Sequence, residues 1–249
     1  MIEQRVPKGM DGFVIHASFD VLAWLAAGMA ALWLTRTGRV SFPVPQPLRF
    51  AYLAALIFGA GIGAVAFGSA NLWLSGQGGI ARSIEGAVAG AIVAIEIYKR
   101  CAGITLRTGA RFALPFAVGV AVGRIGCYLS GLDDFTHGTS TSLPWAHDFG
   151  DGVPRHPVQL YESAAMAAFA AVYVWRVLAG DRFWTAQGFY LAVGFYGLQR
   201  FAWEFLKPYG TLIGPFTLFH LLSAAVFLYA LVMIATAPKP ESAHERAFA

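Results

Sequence analysis

Arg200 and Glu204 stand four residues apart in the apolar run FYGLQRFAWEFL, so they share a face if that run is helical. Arg124 lies alone in a second apolar run, GVAVGRIGCYLSG. Glu162 lies near the start of a third, and Arg82 and Glu85 stand three apart at the start of a fourth. Ionisable side chains are costly inside long apolar segments, so each one is a functional candidate. A guanidinium makes forked, charge-assisted bonds to phosphate. Several arginines directed at one region therefore suggest binding of a phosphate-bearing group, which in a membrane is a lipid headgroup. The structural alternative is a set of ion pairs holding the segments together, Arg200 with Glu204 and Arg82 with Glu85.

A polar loop, residues 131–156, joins the run carrying Arg124 to the run carrying Tyr161 and Glu162, and it holds Asp133, Asp134, Asp148 and Asp151. It closes on Arg155, His156 and Pro157. An imidazole at this mouth has the chemistry to shuttle a proton. His137 and His147 lie among the loop aspartates, but their spacing matches no known ligand pattern, and no metal site is expected. Glu96 is read as a solvated partner of Lys99 or Arg100. Cys127, which follows Gly126 in an apolar helix, is expected to pack as a small residue. Cys101 and Cys127 form neither a disulfide framework nor a metal-binding spacing.

These residues need apolar elements to hold them. The chain has 249 residues, 57% hydrophobic and 13% charged, with mean hydropathy +0.58. A soluble domain carries about 25% charged residues. Apolar runs near the ~20 residues needed to cross a hydrocarbon core recur along the chain. The expectation is an all-α polytopic membrane protein with seven spans, at about 13–35, 48–68, 80–98, 112–130, 157–178, 185–204 and 213–236. Loops one, three and five, counted with Arg49 and Arg176 at the adjoining span ends, carry nine lysines and arginines; the N-terminal tail and loops two, four and six carry four. The positive-inside rule then puts the N-terminus outside, the C-terminus in the cytoplasm and loop 131–156 on the outer face. Residues 1–236 read as one transmembrane domain and 237–249 as a cytoplasmic tail. The net charge of +4 sits in these loops and gives no nucleic-acid signal. Small residues four apart in FGAGIGAVAFG and GAVAG suit close helix packing.

Four stretches resemble the prolipoprotein diacylglyceryl transferases of the bacterial inner membrane. GRIGCYLSG (123–131), followed by Gly138 and Thr141, is similar to the family's Gly-Arg-x-Gly signature and its downstream Gly-x-x-Thr. RHPVQLYES (155–163) and FYGLQRFAWEFLKP (195–208) resemble two further motifs, and SIEGAVAG (83–90) resembles a span-three stretch. Such enzymes move the diacylglyceryl group of phosphatidylglycerol to the thiol of a prolipoprotein lipobox cysteine and release glycerol phosphate. The resemblance implies that Arg124 and Arg200 hold the phosphate, that Glu204 positions Arg200 or the loop, and that Tyr196, Tyr161 and Glu162 line the cavity. Glu85 and His156 join Arg124, Arg200 and Glu204 as catalytic candidates. Arg82, Gly126, Asp133, Asp134, Gly138, Arg155 and Gln159 complete the substrate-binding set. No cofactor is implied. Glu85 stands at the family's histidine position, Cys127 at an asparagine, Leu132 at an acidic residue and Phe19 at a tyrosine.

Three readings follow: a prolipoprotein transferase, a divergent paralogue with another acceptor, and a non-enzymatic lipid-binding protein. The absence of an internal repeat argues against a transporter.

Overall fold

A computed structural model describes residues 12–133 and 135–237. Asp134 and nearly all of both terminal tails, with Arg5, Lys8, Lys239 and Arg246, lie outside the described residues. The chain is mainly helical. Among the described residues seven long helices follow in order: α1 (Gly12–Thr37), α2 (Arg49–Leu74), α3 (Ile84–Cys101), α4 (Ala113–Leu129), α5 (Val158–Leu178), α6 (Arg182–Glu204) and α7 (Leu218–Ala235). Four stretches are long and apolar enough to cross a membrane: Val14–Thr37, Gln46–Leu74, Ala110–Leu129 and Leu218–Ala235. Helices α3, α5 and α6 carry the buried charges and polar groups that lower their hydropathy, Glu85, Glu162 and Arg200 among them.

Local chemistry sets several of the helix ends. The Ser83 hydroxyl accepts from Gly86 N–H to start α3, and Asp181 accepts from Phe183 and Trp184 N–H to start α6. Thr217 and His220 form a reciprocal cap at the start of α7. Gly38, Gly103 and Gly180 follow or nearly follow helix ends at positive φ, where a side chain would be strained.

Helices α4, α5 and α6 form the middle of the bundle, with α1 packed on α4 and α7 on α6. The shared core runs through Leu34, Ala117, Met166, Phe169, Tyr173, Ala192 and Tyr196. Helices α2 and α3 pair closely along the small-residue seam expected from the sequence. A Cβ placed on Gly59, Gly63, Gly86 or Gly90 would strike backbone of the facing helix. An apolar cavity of about 350 Å³ lies between this pair and α4, α6 and α7, running from Ile84 down to Tyr52, Glu96 and Tyr229.

Gly63→Val is expected to destabilise the protein by at least ~1–3 kcal/mol, because its new side chain meets Gly86 backbone with nowhere to move. Gly61, whose Cβ would meet nothing within 4 Å, provides the control. A thermal melt in detergent should show Gly63→Val well below wild type and Gly61→Val close to it.

The basic loops meet at one end of the bundle. Arg39 donates to the carbonyls of Val177 and Leu178 at the end of α5. Arg107 donates to Gln187 near the start of α6, and to Met233 and Thr236 at the end of α7. At the opposite end, loop 131–156 folds back on itself. Strand β1 (His147–Asp148) pairs antiparallel with β2 (Pro154–Arg155), and Ser140 bridges to Arg155. Thr139 N–H donates to Leu206 O, and Tyr209 hydroxyl to Phe135 O, which docks the loop on the segment after α6.

Candidate functional site

Six ionisable side chains, from four helices and the segment after α6, meet where α3, α4, α5 and α6 converge below the loop. They are Arg124, Arg200, Lys207, Glu85, Glu162 and Glu204, none more than 5% exposed. Glu162 is the bridge. One of its oxygens lies 2.5 Å from Arg124 Nε; the other takes Arg200 Nη1 at 2.9 Å and Lys207 Nζ at 2.8 Å. Arg200 spreads its fork over three carboxylates, with Nε 3.2 Å from Glu85 and Nη2 3.0 Å from Glu204. Ser223 donates to Glu85 at 2.5 Å, and Thr217 to Glu204 at 2.7 Å. Breaking a buried pair of this kind costs about 3–5 kcal/mol because it strands the remaining charge.

Arg124, Arg200, Glu204, Glu85 and Glu162 thus come together, and the i,i+4 pair Arg200–Glu204 forms as expected. Tyr196 lies one turn before Arg200. Its hydroxyl is buried with no hydrogen-bond partner among the described residues, while its ring packs edge-on to Phe116 at 5.3 Å. A buried donor left in this way fits a ligand's oxygen.

Two expectations change. Arg82 does not pair with Glu85. It precedes the extended cap residue Ser83 and so lies outside the helix, where i,i+3 spacing has no meaning. Its largely exposed side chain lies 3.6 Å from Asp20 of α1, and Glu85 turns inward to Arg200. Nor is there a surplus of arginine. Three cations face three carboxylates; among the described residues Arg124 and Lys207 each pair with Glu162 alone, while Arg200 pairs with all three.

The remaining candidates have other neighbours. His156 Nδ1 is 3.4 Å from Tyr161 hydroxyl, which also accepts from Trp145 at 2.7 Å. Gln159 is fully buried and donates to Thr136. Gly126 backs onto Phe19, and Gly138 lies under the His156 backbone, each too close for a Cβ. Asp133 is exposed beside Gly12. Glu96 pairs with Lys99 at 3.2 Å, as expected, but the pair is not simply solvated: Lys99 is buried, and Glu96 also accepts from the Tyr229 hydroxyl at 3.0 Å.

Arg155 makes a forked pair with Asp151 at 2.6 and 2.7 Å. That bond holds the Asp151 carboxyl down at about 2, below the ordinary aspartate range. A depressed carboxylate stabilises the fold above its unfolded pKa of about 3.9, and the effect is lost as pH falls through about 2. An NMR titration of the Asp151 carboxyl should therefore give a midpoint near 2. Arg155→Ala should move it up toward about 4.

Sequence reasoning missed Lys207, Thr217, Ser223 and His16. Lys207 follows the last turn of α6, its N–H bonded to Glu204 O, so its place three residues beyond Glu204 was the available signal. Thr217 and Ser223 carry no signal beyond polarity. His16 Nδ1 is 3.2 Å from Asp20, and its Nε2 is 3.7 Å from Cys127 Sγ. Cys127 is buried, as expected, and its sulfur also lies 3.7 Å from Arg124 Nη1.

The chain matches the prolipoprotein diacylglyceryl transferase family over residues 12–236. A phosphatidylglycerol–prolipoprotein diacylglyceryl transferase of Geobacter sulfurreducens is 33% identical over 238 residues, covering 85% of this chain and 87% of the relative. Enzymes of the same description from Methylococcus capsulatus and Solidesulfovibrio magneticus are 31% and 30% identical. They cover 87% and 93% of this chain, and 89% and 99% of their own lengths. No solved structure matches significantly. With the match running from the first turn of α1 to just beyond the end of α7, the chain belongs to the prolipoprotein diacylglyceryl transferase family.

Proposed function

We propose that this chain transfers the diacylglyceryl group of phosphatidylglycerol to the thiol of a lipobox cysteine and releases glycerol phosphate. Arg124 beside Arg200, both bridged by Glu162 and buried under a polar loop, is the observation that carries this reading. The matched relatives bear the same activity in their names. In the reaction the acceptor sulfur loses its proton and attacks the terminal glyceryl carbon. The carbon–oxygen bond to phosphate breaks, and its electron pair leaves on the phosphate.

Arg124, with one carboxylate partner against the three of Arg200, turns N–H groups of its fork to the phosphate. Arg200 neutralises the charge growing on the leaving group, as fixed donors do in a water-poor site. Glu85 and Glu204 hold the Arg200 fork in its plane. Glu162 couples the two arginines and Lys207. Tyr196 supplies a free hydroxyl next to them. His156, Tyr161 and Gln159, with Gly138, Arg155 and Asp133, shape the mouth through which the acceptor reaches the site.

The reading includes seven spans in the bacterial inner membrane, the N-terminus outside and the C-terminus in the cytoplasm. Residues 1–236 form the membrane domain, with loop 131–156 on the outer face and 237–249 as a cytoplasmic tail. Gathering of the basic loops at one end of the bundle supports this topology. Donor lipid then comes from the outer leaflet.

The test is purified protein with labelled phosphatidylglycerol and a lipobox peptide, with a Cys→Ser peptide as control. A lipidated peptide together with released glycerol phosphate is the expected result. Lipid consumption without peptide modification would mean another acceptor, and no consumption would mean a binding protein.

A further inference from the structure

The arginines hold one end of a donor lipid, and its acyl chains need an apolar place beside them. Helix α3 continues from the buried charges as an apolar stripe. Glu85 pairs with Arg200, and Ile84 next to it begins a row at helical spacing: Ala87, Val88, Ala91, Ile92 and Ile95. This row is one wall of the 350 Å³ cavity, with Phe116 of α4 and Val193 of α6 across from it. The Phe116 ring also packs on Tyr196, one turn before Arg200, at 5.3 Å. The cavity and the charged centre therefore share a wall.

At its far end the cavity has a polar floor. Tyr52 and Thr108 are both buried and share a hydroxyl–hydroxyl bond of 2.8 Å. The Tyr229 hydroxyl donates to Glu96 at 3.0 Å, and Lys99 holds the same carboxylate at 3.2 Å. At about 1.5 Å per residue, α3 rises about 18 Å from Ile84 to Glu96. One leaflet of a hydrocarbon core roughly 30 Å thick is about 15 Å deep. The cavity thus matches the reach of one acyl chain of ordinary length. Lipid tails are as apolar as the cavity wall, so a chain gains little from burial alone, and fit decides between chains. A chain that ends above the floor leaves a void without contacts. A chain that runs past it must part Tyr229 from Glu96, or Tyr52 from Thr108, and leave buried polar groups unpaired.

We propose that this cavity takes one acyl chain of the donor phospholipid, and that its floor, Tyr229 on Glu96 beside Tyr52 on Thr108, sets the longest chain accepted. The inference rests on the transfer reaction proposed above and adds its selectivity among donor lipids. The glyceryl carbon stays at the arginines while the chain descends between α3, α4 and α6. Ala91 lines the cavity a little over one turn above Glu96, so a larger side chain there shortens the space. Ala60 of α2 lines it from the facing helix, next to Gly59, which meets Gly90. Tyr229→Ala lowers the floor without stranding Glu96, which keeps Lys99. Val93 stands on the exposed face of α3, outside the cavity.

The experiment measures kcat/KM for transfer to the lipobox peptide from didecanoyl, dipalmitoyl and diarachidoyl phosphatidylglycerol. The proteins are wild type, Ala91→Leu, Tyr229→Ala and Val93→Leu, each checked for folding by a thermal melt. A methylene that a close apolar pocket does not accommodate costs about 10-fold or more, so wild type should favour dipalmitoyl over diarachidoyl lipid by at least about 10-fold. Tyr229→Ala should shrink that preference by about 10-fold, because the longer chain gains room. Ala91→Leu should move preference the other way, lowering the dipalmitoyl-to-didecanoyl ratio by about 10-fold. Ala60→Leu takes its place if Ala91→Leu does not fold. Val93→Leu should keep the wild-type ratios. A wild type indifferent to chain length, or a shift in Val93→Leu equal to that in Ala91→Leu, would overturn the proposal. Absence of transfer from all three lipids by wild type would overturn the parent reading and this inference with it; transfer with chain-length ratios that no variant moves overturns the inference alone.

Discussion

Arg124→Ala is expected to leave the protein folded in detergent and to reduce transfer from phosphatidylglycerol by about 10²–10³-fold or more. The two halves of this expectation come from different neighbours. Glu162 keeps Arg200 Nη1 and Lys207 Nζ when Arg124 is removed, so no carboxylate is stranded. The fold therefore keeps most of the interactions at its buried centre. The phosphate loses the guanidinium that makes one ion pair where Arg200 makes three. Gel filtration and a thermal melt should show a monodisperse protein with a modest loss of stability, while the peptide assay shows little or no product. A variant with full activity would dismiss Arg124 as the phosphate clamp.

Arg200→Lys is the second. It keeps the charge and discards the fork. Arg200 reaches Glu85, Glu162 and Glu204 through three different nitrogens, and its guanidinium also lies 5.4 Å from the Phe219 ring centroid. A single ammonium cannot span those positions. Losing two of the three contacts leaves buried carboxylates short of a partner, at a cost of about 3–5 kcal/mol each where no other donor compensates. Ser223 and Thr217 still donate to Glu85 and Glu204, which softens but does not remove this cost. Both activity and melting temperature should fall. The contrast with Arg124→Ala, which separates activity from stability, is the informative result. Equal stability of Arg200→Lys and wild type would mean that the fork is not what holds the centre.

Much of this arrangement was legible from residue order. Hydropathy gave the seven helices to within a few residues at most ends, because continuous apolar runs leave a strong one-dimensional signal. The widest misses were at α2, which runs to Leu74, and at the start of α7. There the structure begins the helix at a Thr217–His220 cap, and Thr211–Ile213 with Phe216–Thr217 form a short antiparallel pair. Arg200–Glu204 was readable because both residues lie within one regular helix. Arg82–Glu85 misled because helix spacing was applied across a cap, where the backbone is extended. Partners drawn from separate helices left no periodic trace. Ser223 on Glu85, Lys207 on Glu162 and His16 on Cys127 depend on helix rotation and packing, which residue spacing does not encode.

The glycine seam between α2 and α3 restricts how a hydrocarbon chain travels from the bilayer to the buried charges. Doorways between membrane helices usually open by turning side chains aside. Here backbone faces backbone at Gly59, Gly63, Gly86 and Gly90, and the side chains that touch these glycines are those of Phe67 and Ala94. The two helices are therefore expected to move as one blade, with lipid kept from passing through the seam itself. Passage is left to the flanks of that blade, where it faces α4, α6 and α7 across apolar side chains such as Ile92, Phe116 and Val193.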